Sequence, residues 1–281
     1  PHIIALTANE RKGDARTNWT LKNQSELSDG TVYDLIFIGQ DLAGNQTGFL
    51  TTPDITYDIT LPVFTILDPI DGAYSNYLSL SYEISEPLVE GSVTWTALNS
   101  TKDSESPRVI SMELDEMVEG VSTNIILSNM TSLVDSTSYS IEMKGSDLAT
   151  NIGIPFTISK VYYDFSPPII TLSHPVDNTY QSKTYLNYQM TEDLYYGQVS
   201  WVRLYERGVK PDTVILQGAE LIAGANDTII FADMIKLKDG ASYDIIFEGY
   251  DLAKNDALPK RISNVTYDFT PPDIELQYPQ T

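Results

Sequence analysis

Between residues 63 and 168 the apolar positions alternate with polar ones in short runs, which is the period of strands with one buried face rather than of helices. The runs fall at 64–67, 78–84 (LSLSYEI), 92–98 (SVTWTAL), 109–114 (VISMEL), 124–128 (NIILS), 138–145 (SYSIEMKG) and 155–164 (PFTISKVYYD). Turn signals such as DPIDG and SEPLVEG separate them. The pattern predicts about seven strands in roughly a hundred residues, the content of a small β-sandwich. The same order returns downstream as YLNYQM, QVSWVRLY, TVILQ, TIIFA, SYDIIFEGY and KRISNVTYD.

This return is a true internal repeat. Residues 41–62 read DLAGNQTGFLTTPDITYDITLP, and the text recurs at 147–168 as DLATNIGIPFTISKVYYDFSPP and at 251–272 as DLAKNDALPKRISNVTYDFTPP. Steps of 106 and 104 residues are too long for helical solenoids and suit a whole small domain. The expected division is a C-terminal half-repeat at 1–62, complete repeats at 63–168 and 169–272, and the first strand of a further repeat at 273–281. A chain that opens in mid-unit reads as a window on a longer array, or as one whose missing half comes from another chain.

Two landmarks specify the sandwich. Trp95 and Trp201 sit on the third strand of each complete unit, where immunoglobulin-like folds bury an aromatic between their sheets. The segments LSDGTVY (27–33), LVDSTSY (133–139) and LKDGASY (237–243) have the form of a tyrosine corner. The fold class is therefore all-β, as tandem immunoglobulin-like β-sandwiches.

On these motifs the chain resembles the bacterial-type immunoglobulin-like repeats of large extracellular surface and adhesion proteins, whose units end in a DxAGN turn followed by YDxTPP or VDxTPP. It departs from them where the turn glycine is Thr150 or Lys254, and where Leu61 replaces the first Pro of the doublet. The resemblance implies an extracellular or cell-surface module, often in long arrays, and names no ligand. The expected role is a structural element of a surface fibre, stalk or filament. An adhesin segment that binds a receptor or glycan is the alternative.

Composition narrows the chemistry. With 39 Asp and Glu against 17 Lys and Arg, the net charge of −22 repels nucleic acid. No run of apolar residues is long enough for membrane insertion of this segment. Cysteine is absent, which excludes disulfides and thiolate ligands. Two histidines and no P-loop, HExxH or EF-hand pattern speak against an enzyme. Seven of the 14 asparagines lie in NxS/T sequons, Asn18, Asn23, Asn45, Asn99, Asn129, Asn226 and Asn264, against about 2.6 expected by chance. The excess points to N-linked glycans on a secreted chain; unused sequons in a Ser/Thr-rich β protein are the other reading. The partners expected are copies of the chain or other fibre subunits, with a glycan or receptor under the adhesin alternative.

One site follows from topology. The second-to-third and sixth-to-seventh strand loops share the end of the domain at which the chain enters. That gathers Asp58, Glu86, Asp147 and Asn151 at one junction, and Asp164, Glu192, Asp193, Asp251 and Asn255 at the next. The linker Asp and loop Glu are 28 residues apart in both. Oxygen donors of this kind suit Ca²⁺, although no cofactor is required by the fold. The competing role for the DLAxN aspartate is to cap its own turn. Tyr195 and Tyr196, in EDLYYG, are expected either to pack against the neighbouring unit or to bind a ligand.

Overall fold

The computed structural model describes residues 1–13, 20, 26–206, 208–230 and 235–275, with backbone alone for 226–230. A two-stranded antiparallel hairpin comes first, formed by β1 (Thr31–Phe37) and β2 (Leu50–Tyr57). Eight strands follow: β3 (Phe64–Asp68), β4 (Tyr74–Ser75), β5 (Leu80–Ile84), β6 (Leu88–Ala97), β7 (Arg108–Ser111), β8 (Gly120–Ile125), β9 (Thr137–Asp147) and β10 (Phe156–Tyr163). The same order then repeats as β11 (Ile170–His174), β12 (Tyr180–Gln181), β13 (Tyr185–Met190), β14 (Leu194–Arg203), β15 (Asp212–Ile215), β16 (Gly224–Ile230), β17 (Ala241–Asp251) and β18 (Lys260–Tyr267).

Each set makes two sheets. In the first, β3-β5-β8 faces β4-β10-β9-β6-β7; in the second, β11-β13-β16 faces β12-β18-β17-β14-β15. The molecule is thus all-β, with tandem immunoglobulin-like sandwiches. Alternate side chains of the facing sheets supply the cores. Trp95 and Trp201 are 0% and 1% exposed, and their indole N–H groups donate to the hydroxyls of Tyr163 (3.2 Å) and Tyr267 (3.1 Å). Around Trp95 pack Tyr82, Ile84, Val93, Ile141, Met143 and Val161, all fully buried. Burying an aromatic of that size contributes about 3–5 kcal/mol, as judged by truncation to alanine.

The tyrosine corners form in all three copies. Tyr33, Tyr139 and Tyr243 accept the backbone N–H of Ser28, Val134 and Lys238, at 2.9, 3.0 and 2.8 Å. Each bond closes the turn that leads into the long strand, satisfying an N–H that no ladder reaches.

Several strands differ from the alternation. The run predicted at 109–114 ends at Ser111, because the buried Glu116 carboxylate accepts the N–H of Glu113 (2.8 Å) and winds 114–116 into a single 3₁₀ turn. The run predicted at 124–128 is a strand at Gly120–Ile125, in which no position is fully buried and the apolar signal is weak. Residues 228–232 are described only as far as Ile230, in β16. The two-residue strands β4 and β12 lie outside the predicted runs. They pair in parallel with the ends of β10 and β18, and a two-residue pairing carries no periodicity of its own.

Candidate functional site

Each junction is assembled by three short segments. The first is the linker Tyr-Asp-x-Thr/Ser. Asp58 and Asp164 accept the backbone N–H two residues on, from Thr60 (2.9 Å) and Ser166 (3.2 Å), which closes an Asx turn. That turn is held to the preceding unit by a further aspartate, two residues before the end of the tyrosine-corner turn. Asp29 accepts from Ile59 N–H (2.7 Å) and the Thr60 hydroxyl; Asp135 accepts from Phe165 N–H and the Ser166 hydroxyl, both at 2.6 Å. Asp239 does the same with Phe269 and Thr270, both at 2.6 Å. This residue is absent from the sequence-derived site, although LSDG, LVDS and LKDG display it at the repeat spacing.

The second segment is the loop between the second and third long strands of the following unit. Ser85 and Thr191 accept the N–H of the first residue after the linker, Val63 (2.9 Å) and Ile169 (3.0 Å). Their backbone N–H groups return the bond to the same residues' carbonyls. The next residue in each loop, Glu86 or Glu192, then lies against the linker.

The third is the DLAxN turn. Asp147 accepts Asn151 N–H and Asn151 Nδ2–H, at 2.9 and 2.8 Å, and Asp251 makes the same pair with Asn255. The asparagine also reaches back across the junction. Asn151 Nδ2 donates to Asp58 C=O (3.1 Å), and Asn255 Nδ2 to Asp164 C=O (2.9 Å). Asn76, from the preceding unit, adds a bond to Asn255 Oδ1 (3.1 Å). The turn needs a left-handed residue at its fourth position, where Gly44, Thr150 and Lys254 have φ of +92°, +72° and +74°. The departures from glycine therefore keep the same turn at the cost of backbone strain.

These segments converge two carboxylate triads. Oxygens of Asp58, Glu86 and Asp147 lie within 4.8 Å of one another, as do those of Asp164, Glu192 and Asp251. Asp147 and Asp251 are buried, at 1% and 2% exposure, while the other four are partly exposed. Partial burial pushes the Glu192 carboxyl up to about 7, with Asp164 and Asp251 adding like-charge repulsion. Glu86 is raised for the same reasons, desolvation first and then Asp58 and Asp147. Asp164 is raised as well, chiefly by burial. Asp193, adjacent to Glu192, is turned elsewhere: its carboxylate accepts Ala223 N–H at 2.7 Å and stands outside the triad. Capping and triad formation are not exclusive, since Asp147 and Asp251 do both.

Of the sequons, Asn18 and Asn23 lie outside the described residues, as does the side chain of Asn226. Asn99 is exposed in a turn, its Oδ1 accepting the Thr101 hydroxyl (2.7 Å). The side-chain nitrogens of Asn45, Asn129 and Asn264 donate to Asp41, Glu113 and Asn178 at 2.8, 2.8 and 2.9 Å. Tyr195 and Tyr196 both stack on Tyr250 of their own unit. Among the described residues no helix is long and apolar enough to cross a membrane.

Among solved structures the chain is similar to the FN1–FN3 domains of chicken CNTN1, with 14% identity over 87% of this chain and 78% of that one, at a TM-score of 0.41. It is also similar to fibronectin(III)-like modules of Clostridium thermocellum CbhA, with 11% identity over 77% and 100% of the two chains, at a TM-score of 0.36. No protein-family model and no curated protein matches the chain.

Proposed function

We propose that the chain is a structural or adhesive extracellular module, an array of immunoglobulin-like units whose joints are fastened by divalent cations into a semi-rigid rod. The observation that carries this reading is the recurrence of one joint at two places, with the same three carboxylates and the same asparagine clasp in each. Each linker is gripped from both sides, by Asp29 or Asp135 of the unit behind it and by Asn151 or Asn255 of the unit ahead. The doublets Pro167–Pro168 and Pro271–Pro272 remove backbone freedom beside the grip.

The donor set fits a hard cation. Three carboxylates offer up to six oxygens, with no nitrogen or sulfur, which favours Ca²⁺ over zinc or copper. Asp58, Glu86 and Asp147 would hold one ion, and Asp164, Glu192 and Asp251 the other. Bound calcium would neutralise the like-charge repulsion that adds to desolvation at Glu86 and Glu192, and would lock successive units together. The resemblance to bacterial surface repeats supports the extracellular assignment, and glycans on exposed sequons such as Asn99 accord with it.

Small-angle scattering with and without chelator tests the proposal. In calcium the expected profile is that of an extended particle with fixed maximum dimension; in chelator the distribution of lengths broadens and shortens. Identical profiles in the two conditions would overturn it.

A further inference from the structure

The second complete unit carries a surface cluster that its sibling lacks. A β-bulge at Tyr195 interrupts the pairing of β14 with β17, so Leu194 pairs with Asp251 and Tyr196 with Tyr250. Two consecutive side chains are thereby aimed at one face instead of opposite faces. Tyr195 and Tyr196 both stack on Tyr250, with centroids 5.9 and 5.5 Å apart and planes inclined by 21° and 22°. The Lys254 ammonium lies over two of these rings, 3.4 Å from the centroid of Tyr195 and 4.7 Å from that of Tyr250. At the border the Tyr196 hydroxyl donates to Gln198 Oε1, and Gln198 Nε2 donates to Glu248, both at 2.8 Å.

The first unit has the same bulge in the same place, between Leu88 and Glu90. There the corresponding positions are Val89, Glu90, Ser146 and Thr150, with Ser92 and Lys144 at the border. A sandwich of this type therefore folds without the aromatic cluster. Tyr195 remains 57% exposed, so the ring is not sequestered in a core. The three rings are an addition to one unit's surface.

We infer that Tyr195, Tyr196 and Tyr250, bordered by Gln198 and Glu248, form a binding platform for a neutral saccharide that displaces the Lys254 ammonium from over Tyr195 and Tyr250. Sugar rings present apolar C–H faces edged by hydroxyls, and they are matched by aromatic rings edged by donors and acceptors. The border supplies an amide and a carboxylate. Charge selects the neutral class. The platform holds one cation and one anion in a chain of −22, and Asp251 of the Asp164, Glu192 and Asp251 triad lies three residues before Lys254 in the same turn. Polyanionic glycans meet repulsion there. The inference does not rest on the calcium reading: saccharide binding is expected with and without chelator, whichever way the scattering experiment falls.

Saturation-transfer difference NMR on the full chain, with cellohexaose, laminarihexaose and mannohexaose as probes, tests the platform. At least one probe is expected to receive saturation at its ring C–H protons. Tyr195→Ala should weaken that binding about tenfold, or about 1.4 kcal/mol, while Val89→Ala at the equivalent place in the other unit leaves it unchanged. Tyr195 is largely exposed, so its truncation spares the core, and an unchanged amide spectrum verifies the fold. The inference is overturned if none of the three probes binds, if Tyr195→Ala binds as well as the parent, or if heparin binds in preference to all three.

Discussion

Titrating the second triad is the most direct probe of the joints. Glu192 is raised from an ordinary 4.5 to about 7, so between those values the folded chain retains a proton that the unfolded chain has released. A state that holds the extra proton is destabilised as pH rises, so without metal the unit loses stability between about pH 5 and 8. The full shift corresponds to about 3.4 kcal/mol. Glu192 is only partly buried, and solvent screening reduces the figure to about 1–2 kcal/mol. For a unit of roughly a hundred residues that is a fall of about 5–10 °C in melting temperature. Calorimetry in chelator at pH 5 and pH 8 should show it, and Glu192→Gln should remove the Glu192 share of the difference while leaving the fold intact and the contribution of Glu86 in the other unit in place. Saturating calcium at pH 8 should restore the loss in the parent and stabilise the variant much less. If the parent in chelator melts at one temperature across this range, the three carboxylates do not meet in solution. If calcium leaves the parent's melting at pH 8 unmoved, the ion does not occupy them.

Three further tests bear on the frame around the joints. Tyr139→Phe should cost about 2–3 kcal/mol in urea denaturation and Tyr243→Phe about 1 kcal/mol, because the Tyr139 hydroxyl also donates to the buried Asp103 (2.7 Å); equal losses would refute the distinction. Asp103 is held down at about 2, first by its bonds from Arg108. Its contribution is present above pH 3.8 and lost as pH falls through 2, so Asp103→Asn should flatten the acid limb of unfolding by about 1–2 kcal/mol. Thr150→Gly should stabilise the first complete unit by about 0.5–1 kcal/mol in the same assay, by relieving a left-handed φ of +72°.

Much of this architecture was legible because the repeat lets each copy annotate the other. The indole on the third strand and the corner tyrosine have fixed roles in a sandwich, so their recurrence specifies strand order. Topology then places Asp58, Glu86 and Asp147 together, although 89 residues separate the first from the last. What stayed hidden depends on side-chain direction. Nothing in TED says that Glu192 turns to the linker while Asp193 turns to Ala223. The bulge that aims Tyr195 and Tyr196 at one face moves the buried positions from Leu194 to Gly197, Val199 and Trp201, and a shift that begins at a glycine after two tyrosines carries little apolar signal. Asp29, Asp135 and Asp239 look like ordinary turn residues until the linker hydroxyls they hold are seen.

The short parallel strands acquire meaning when the chain is under tension. β4 lies near the start of its unit and β10 runs to its end, and the two point the same way. A pull on the two ends drags them past each other lengthwise rather than peeling them apart. Three backbone bonds then share the load together: Gly72 N–H to Lys160 C=O, Tyr162 N–H to Ala73 C=O and Asp164 N–H to Ser75 C=O, at 2.7, 2.8 and 2.9 Å. The last of them belongs to a triad residue. The sheared patch and the carboxylate triad therefore meet at Asp164.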